Sequence, residues 1–146
     1  MKKIIYENAA GVSIITPCEE ARLKGETDDE FAARIGQKDA PAGVPVQIVD
    51  ESAIPSDRTF RQAWKAGVVK VEHDIPKCKV IAHEKRRAMR AAELAPLDDI
   101  IAKQIPGNNP QQVEVQRQVI RDKYAAVQTA IDAAQDVETI KAALGL

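Results

Sequence analysis

Large aromatic side chains are nearly absent from this chain. One tryptophan, two tyrosines and two phenylalanines serve 146 residues, and much of the 45% apolar content is alanine. Alanine removes little area from water, and hydrophobic stabilisation follows that area at roughly 25 cal/mol per Å². The core is therefore expected to be thin, with stability borrowed from a partner or from further copies of the chain. Cysteine is equally scarce. Cys18 and Cys78 build neither a disulfide framework nor a metal-ligand cluster, and both read as isolated small apolar residues. An excess of one charge is missing too: the net charge is −1 with 29% charged residues, which excludes a global attraction to nucleic acid or an anionic membrane. No apolar run approaches the length of a membrane span. In the opening "MKKIIYENAAGVSIITPC", Glu7 and Asn8 interrupt the apolar run, and Pro17 sits where a cleavage site wants a small residue. No signal peptide, lipoprotein anchor or transmembrane segment is expected, and a soluble protein made in a cytoplasm follows.

The inventory for catalysis is short. The two histidines, His73 and His83, have no neighbouring nucleophile pattern and no metal-ligand spacing. No glycine-rich phosphate loop occurs, and "PGNNP" reads as a turn between helices. Asp98 and Asp99 are adjacent, so on a helix they point in different directions. The acids between Glu19 and Glu30 lack the glycine-pivoted spacing of a calcium loop and read as a solvated helix entry. The expectation is a protein that is not an enzyme, with no catalytic residue, metal or cofactor.

What is present divides into two halves of different character, giving an α+β fold: a small β-rich α/β domain over residues 1–73, then an all-helical domain over residues 74–146 built as antiparallel hairpins. "KIIYEN" and "GVSIITP" predict two strands around a turn at Ala9–Gly11. Thr27 followed by Glu30 has capping-box spacing and opens a helix that Gly36 is expected to stop. A strand is expected from about Pro45 to Asp50. Pro55 biases Ile54 away from helix, and Ser56 or Asp57 caps a short helix through Phe60 to Trp64, which Gly67 ends. "VVKVEH" alternates as a further strand with Val69 and Val71 on one face. Asp74 and Pro76 then start a helix to about Leu94, Pro96 breaks it, and "LDDIIAKQI" forms a second. From Pro110 to Gln135 runs the most regular helix. Its Val113, Ile120, Tyr124, Val127, Ile131 and Ala134 recur at spacings of seven, four, three, four and three, a coiled-coil-like seam that is either internal or shared with another copy. Asp136 starts a last short helix, closed by Gly145.

Two constellations are candidates for function. Between Lys77 and Arg90 lie six basic residues against the single acid Glu84, and Lys79, His83, Arg86 and Arg90 form one stripe with Arg87 beside it. The stripe suits phosphates or an acidic protein surface, although a solvated helix face balanced by acids elsewhere is the favoured reading. Lys85 falls in the middle of the apolar side made by Cys78, Ile81, Ala82, Met89 and Ala92. The second constellation is "AIPSDRTFRQAW". Asp57 with Arg58 or Arg61 suits a buried ion pair, and Phe60 with Trp64 anchors one helical face. Trp64 and Arg61 are either an exposed interface hot spot or the anchor of a core that otherwise lacks large side chains, the reading favoured here.

The stretch "PAGVPVQIVDESAIPSDRTFRQAW", followed by "HDIPKCKVIAHEKRRAMRAAELAPLD", "QRQVIRDKY" and a closing "DVETIKAALGL", resembles a family of small tailed-bacteriophage proteins encoded among tail and fibre genes. The similarity covers roughly residues 30–146, and "IPSDRTFR" is its most specific part. This chain differs in a longer polar insert, "PGNNPQQVEV", and a less arginine-rich basic helix. The resemblance implies a virion or virion-assembly setting, in the particle or in the host cytoplasm during assembly, and carries no catalytic residues. The expected function is a non-enzymatic structural or accessory virion protein acting through protein–protein interaction with a tail, fibre or neck component. Two alternatives stand beside it: a tail-fibre assembly chaperone not retained in the particle, and a nucleic-acid or host-factor binding protein acting through Lys79, Arg86 and Arg90.

Overall fold

The computed structural model describes residues Met1 to Leu146. The fold is of the α+β class, with a small antiparallel sheet region followed by a mostly helical part. The chain separates into two compact units, Met1–Asp74 and Ile75–Leu146.

In the first unit, β1 (Lys2–Asn8) and β2 (Gly11–Ile15) form the hairpin that their β-branched residues predict, with Ile4 opposite Ile15 and Ile5 opposite Ile14. Helix α1 (Asp28–Asp39) begins at the capping box: Thr27 Oγ1 accepts the Glu30 N–H, and the Glu30 carboxylate accepts the Thr27 N–H at 2.9 Å. It does not stop at Gly36. Gly36 lies inside the helix and buried, where an added Cβ would sit 3.3 Å from Ile4 Cγ2, so the glycine serves the close approach of helix to sheet. Strand β3 (Gln47–Asp50) pairs antiparallel with β1 on its other edge, placing β1 in the centre. Successive side chains of a strand point to opposite faces, and β1 buries both. Ile4 packs with Phe31, Ala32 and Ile35 of α1. Ile5 packs on the other side with Val12, Val49, Trp64 and Val71.

That second face is covered by a hairpin of β4 (Trp64–Ala66) and β5 (Val71–His73). The expected helix through Phe60 to Trp64 is absent. A single 3-10 turn at Arg61–Ala63 leads into β4, and Trp64 is its first strand residue. Val68 and Val69 are likewise not strand residues. The Gly67 N–H donates to the Lys70 carbonyl at 3.0 Å, which closes the turn and leaves the two valines at its tip, 84% and 73% exposed. An added Cβ on Gly67 would meet the Lys70 carbonyl oxygen at 2.6 Å, so this turn requires glycine.

The second unit holds α2 (Ile75–Lys103), α3 (Pro110–Ala133) and α4 (Val137–Leu144). The break expected at Pro96 does not occur, and α2 continues through it for 29 residues. Proline inside a helix forfeits a hydrogen bond and crowds the preceding turn, at a cost of about 3 kcal/mol. Helix-forming sequence on both sides and contacts to α3, including the Arg117–Asp98 ion pair at 2.8 Å, keep the rod continuous. Proline at the first position of α3 and the Asn109 side chain accepting the Gln111 N–H start that helix. The seam is buried at Val113, Tyr124, Ile131 and Ala134 and half-buried at Ile120 and Val127. Asp136 caps α4 through the Thr139 N–H, and Gly145 ends it. Helix α4 buries Val137, Ile140 and Leu144 and contacts both longer helices.

Candidate functional site

In the "AIPSDRTFRQAW" corner the chain leaves β3 through a 3-10 turn at Glu51–Ala53 and reaches Pro55, whose ring disfavours helical backbone at Ile54, which is extended. Asp57 Oδ1 accepts the Thr59 N–H at 2.8 Å, an Asx turn rather than a helix cap. Asp57 is exposed, so the expected burial of a pair with Arg58 or Arg61 is not met. A carboxylate so close to water gains more from hydration and from its own turn than from burial. Both arginines instead lie over the Trp64 ring, with guanidinium carbons 5.2 Å and 4.8 Å from its centroid. Arg61 also donates to the Val12 carbonyl at 3.3 Å. Trp64 is 1% exposed, and its indole N–H donates to His73 Nε2 across the β4–β5 pair at 3.1 Å. Phe60 is also buried. The two aromatics do not share a helical face, because only one turn of 3-10 geometry lies between them.

The basic stripe of α2 is divided by α3. The buried line of α2 runs through Cys78, Ala82 and Arg86, one helical repeat of four apart. Arg86, not Lys85, therefore sits on the inner side, and Lys85 and Ala92 are exposed. Lys79 Nζ donates to the Asp132 carbonyl at 2.7 Å, and His83 Nε2 contacts Asp132 Oδ1 at 2.9 Å. Arg86, 8% exposed, donates to Gln128 Oε1 at 2.6 Å and to the Tyr124 carbonyl at 3.3 Å. Further along, Tyr124 Oη donates to Glu93 Oε1 at 2.6 Å, and Lys123 reaches the same oxygen at 2.7 Å. These two donors hold the Glu93 carboxyl below its ordinary range, Lys123 foremost. Lys79, His83 and Arg86 thus form polar rungs between two helices of one unit. Only Arg87 and Arg90 of the five lie on the exposed side. The reason is packing: in an alanine-rich hairpin, Arg86 supplies the length needed to reach α3.

A different surface of this unit was not foreseen as a site. Helix α4 spans eight residues, about 12 Å at 1.5 Å per residue, and follows directly on the end of α3. It covers the hairpin at that end, and beyond Arg86 no residue of α2 is buried. There, Pro96 and Leu97 of α2 face Val115, Val119 and Ile120 of α3 across a shallow groove of about 450 Å³ that Glu93 also lines. Val115 and Val119 are 65% and 63% exposed. The signal was present in the sequence, since Val115 and Val119 are four apart and lie off the Val113–Ala134 seam.

No three His, Cys, Asp or Glu side chains come together as a metal-holding group, and no helix is long and apolar enough to cross a membrane. Comparison with protein-family models, with curated proteins and with solved structures finds no match.

Proposed function

We propose that this chain is a non-enzymatic bacteriophage structural or accessory protein that binds a tail, fibre or neck component of the virion, with its helical unit as the docking element. The observation that carries the binding role is the uncovered apolar groove of the α2–α3 hairpin, where Val115 and Val119 face solvent. Contiguous exposed apolar surface rimmed by charge is a usual mark of a protein contact; Glu93 lines this groove and pairs with Lys123, and the paired Asp98 and Arg117 follow the lining residues Leu97 and Gln116 in sequence. The phage setting rests on the resemblance carried by "IPSDRTFR" and the segments that follow it.

Binding through the basic helix is less well supported. Lys79, His83 and Arg86 already have partners on α3, and phosphate contact by Arg86 would require it to leave a buried position. The test is capture of purified tail, fibre and neck proteins by the full chain and by a Val115→Asp, Val119→Asp variant. The parent is expected to capture one of them and the variant to lose it, with helix content unchanged. Particle composition then separates two roles: a stoichiometric amount in intact virions indicates a structural part, and binding without retention indicates an assembly chaperone. A chain absent from virions that captures no tail protein overturns the proposal.

A further inference from the structure

The "IPSDR" corner lines a pocket that neither the core role of Trp64 nor the helical groove uses. We propose that this pocket of the N-terminal unit binds a monocarboxylate carried on a short aliphatic stem. The cavity measures about 320 Å³, within the usual range for small ligands of about 300–1,000 Å³.

Its charged floor is Lys3, which shares the inner face of β1 with Ile5 and is only 8% exposed. Lys3 Nζ contacts Thr16 Oγ1 at 3.3 Å and Glu51 Oε1 at 3.4 Å. Charge-assisted hydrogen bonds to an ammonium normally close to about 2.7–2.9 Å, so both partners hold the amine loosely. Glu51 is itself 62% exposed and largely hydrated. At the mouth stands Arg58, placed over the Trp64 ring. Ser56 adds a hydroxyl beside it. Pro55 and the Asx turn from Asp57 to Thr59 restrict the backbone on either side of Ser56 and at Arg58, which lowers the ordering cost of binding.

Among the lining residues, the two cations Lys3 and Arg58 and the one carboxylate Glu51 leave a single positive charge, which matches a monoanion. A phosphate dianion would carry excess charge against Glu51. The remaining wall is apolar, from Ile14, Ile54 and Pro55. A planar carboxylate fits the guanidinium fork in a bidentate manner, while its hydrocarbon stem takes the apolar wall. Two sources share this chemistry: a free short-chain acid, and the C-terminal residue of a polypeptide ending in a branched aliphatic side chain.

The experiment is a titration of the ¹⁵N-labelled full chain, read by its amide resonances. The probes are isovalerate, an acetylated hexapeptide ending in valine with a free carboxyl, the same peptide as its C-terminal amide, and inorganic phosphate. The carboxylate probes are expected to shift the amides of Lys3, Thr16, Ser56 and Arg58, and the amidated peptide is expected to leave them in place. Isovalerate binding as tightly as the peptide identifies a free acid as the source, and binding of the peptide alone identifies a chain terminus. Arg58→Gln should weaken either about tenfold, the loss of one charged hydrogen-bonding partner. Ser56→Ala, which touches neither charge, should weaken it less. No shift with either carboxylate up to about 10 mM, equal shifts from the amidated peptide, or tighter binding of phosphate would each overturn the assignment. So would undiminished binding by a folded Arg58→Gln variant.

Discussion

Replacing Trp64 by alanine separates a core role from an interface role more sharply than any other substitution. Trp64 is 1% exposed and packs with Ile5, Val12, Val49 and Val71. A buried aromatic removes about 150–250 Å² from water, worth about 4–6 kcal/mol at about 25 cal/mol per Å². Alanine retains part of that area, and measured aromatic-to-alanine changes in cores fall at about 3–5 kcal/mol. The cation–π contacts of Arg58 and Arg61 and the bond to His73 disappear with the ring. A unit the size of Met1–Asp74 has a total stability of about 4–11 kcal/mol, so the variant should lie between marginal and unfolded. If it folds, its midpoint should fall by at least about 12 °C, taking about 4 °C per kcal/mol. Because the substitution removes the only tryptophan, the assay is urea unfolding followed through ¹⁵N amide resonances, which report on the two units separately. Resonances from Met1–Asp74 should collapse at low urea. Trp64→Phe, which keeps a ring but loses the indole donor to His73, should lose clearly less. A Trp64→Ala variant that keeps the parent midpoint while failing to capture a partner would refute the core reasoning and make Trp64 an interface anchor.

Two further outcomes follow from polar groups. The Arg34 guanidinium hydrogen-bonds Glu26 at 2.7 Å and lowers its carboxyl from 4.5 to about 2. A depressed carboxylate contributes stability above its unfolded pKa and loses it as pH falls through the folded value. Acid titration should therefore weaken the N-terminal unit progressively from about 4.5 to about 2, and Glu26→Gln should flatten that part of the profile; an unchanged profile refutes the pairing. In the helical unit, Tyr124→Phe removes the hydrogen bond to Glu93, expected to cost about 0.5–1.5 kcal/mol in chemical denaturation. Lys123 still pairs with that exposed carboxylate, which favours the lower end, and a loss above about 3 kcal/mol would refute this small contribution.

Signals confined to a few neighbouring residues were legible in the sequence. Thr27 and Glu30 mark the start of α1, Pro110 the start of α3, and Asp136 and Gly145 the two ends of α4. Each is a local hydrogen-bonding or backbone preference acting within one turn. The β-branched residues on either side of Ala9–Gly11 likewise settle the β1–β2 hairpin. The helical spacing places Lys79, His83, Arg86 and Arg90 on one stripe of α2, but alanines surround the helix and obscure which side turns inward. Only the presence of α3, with Asp132, Gln128 and the Tyr124 carbonyl, decided that three of these residues face a helix rather than solvent.

The same division holds for the other corrections. Pro96 is a helix breaker by its own chemistry, and contacts with a helix distant in sequence override it. Trp64 looks helical beside Phe60 until strand pairing with His73 claims it. Lys3 lies two residues before Ile5 on the central strand, so the two share a face. The meeting of Lys3 with Thr16, Glu51 and the "IPSDR" corner depends on closure of the sheet and its turns. Local preferences therefore determined where most elements begin and end. Which faces are buried, and which charged groups meet, was decided by tertiary packing, because those energies come from residues far apart in the chain.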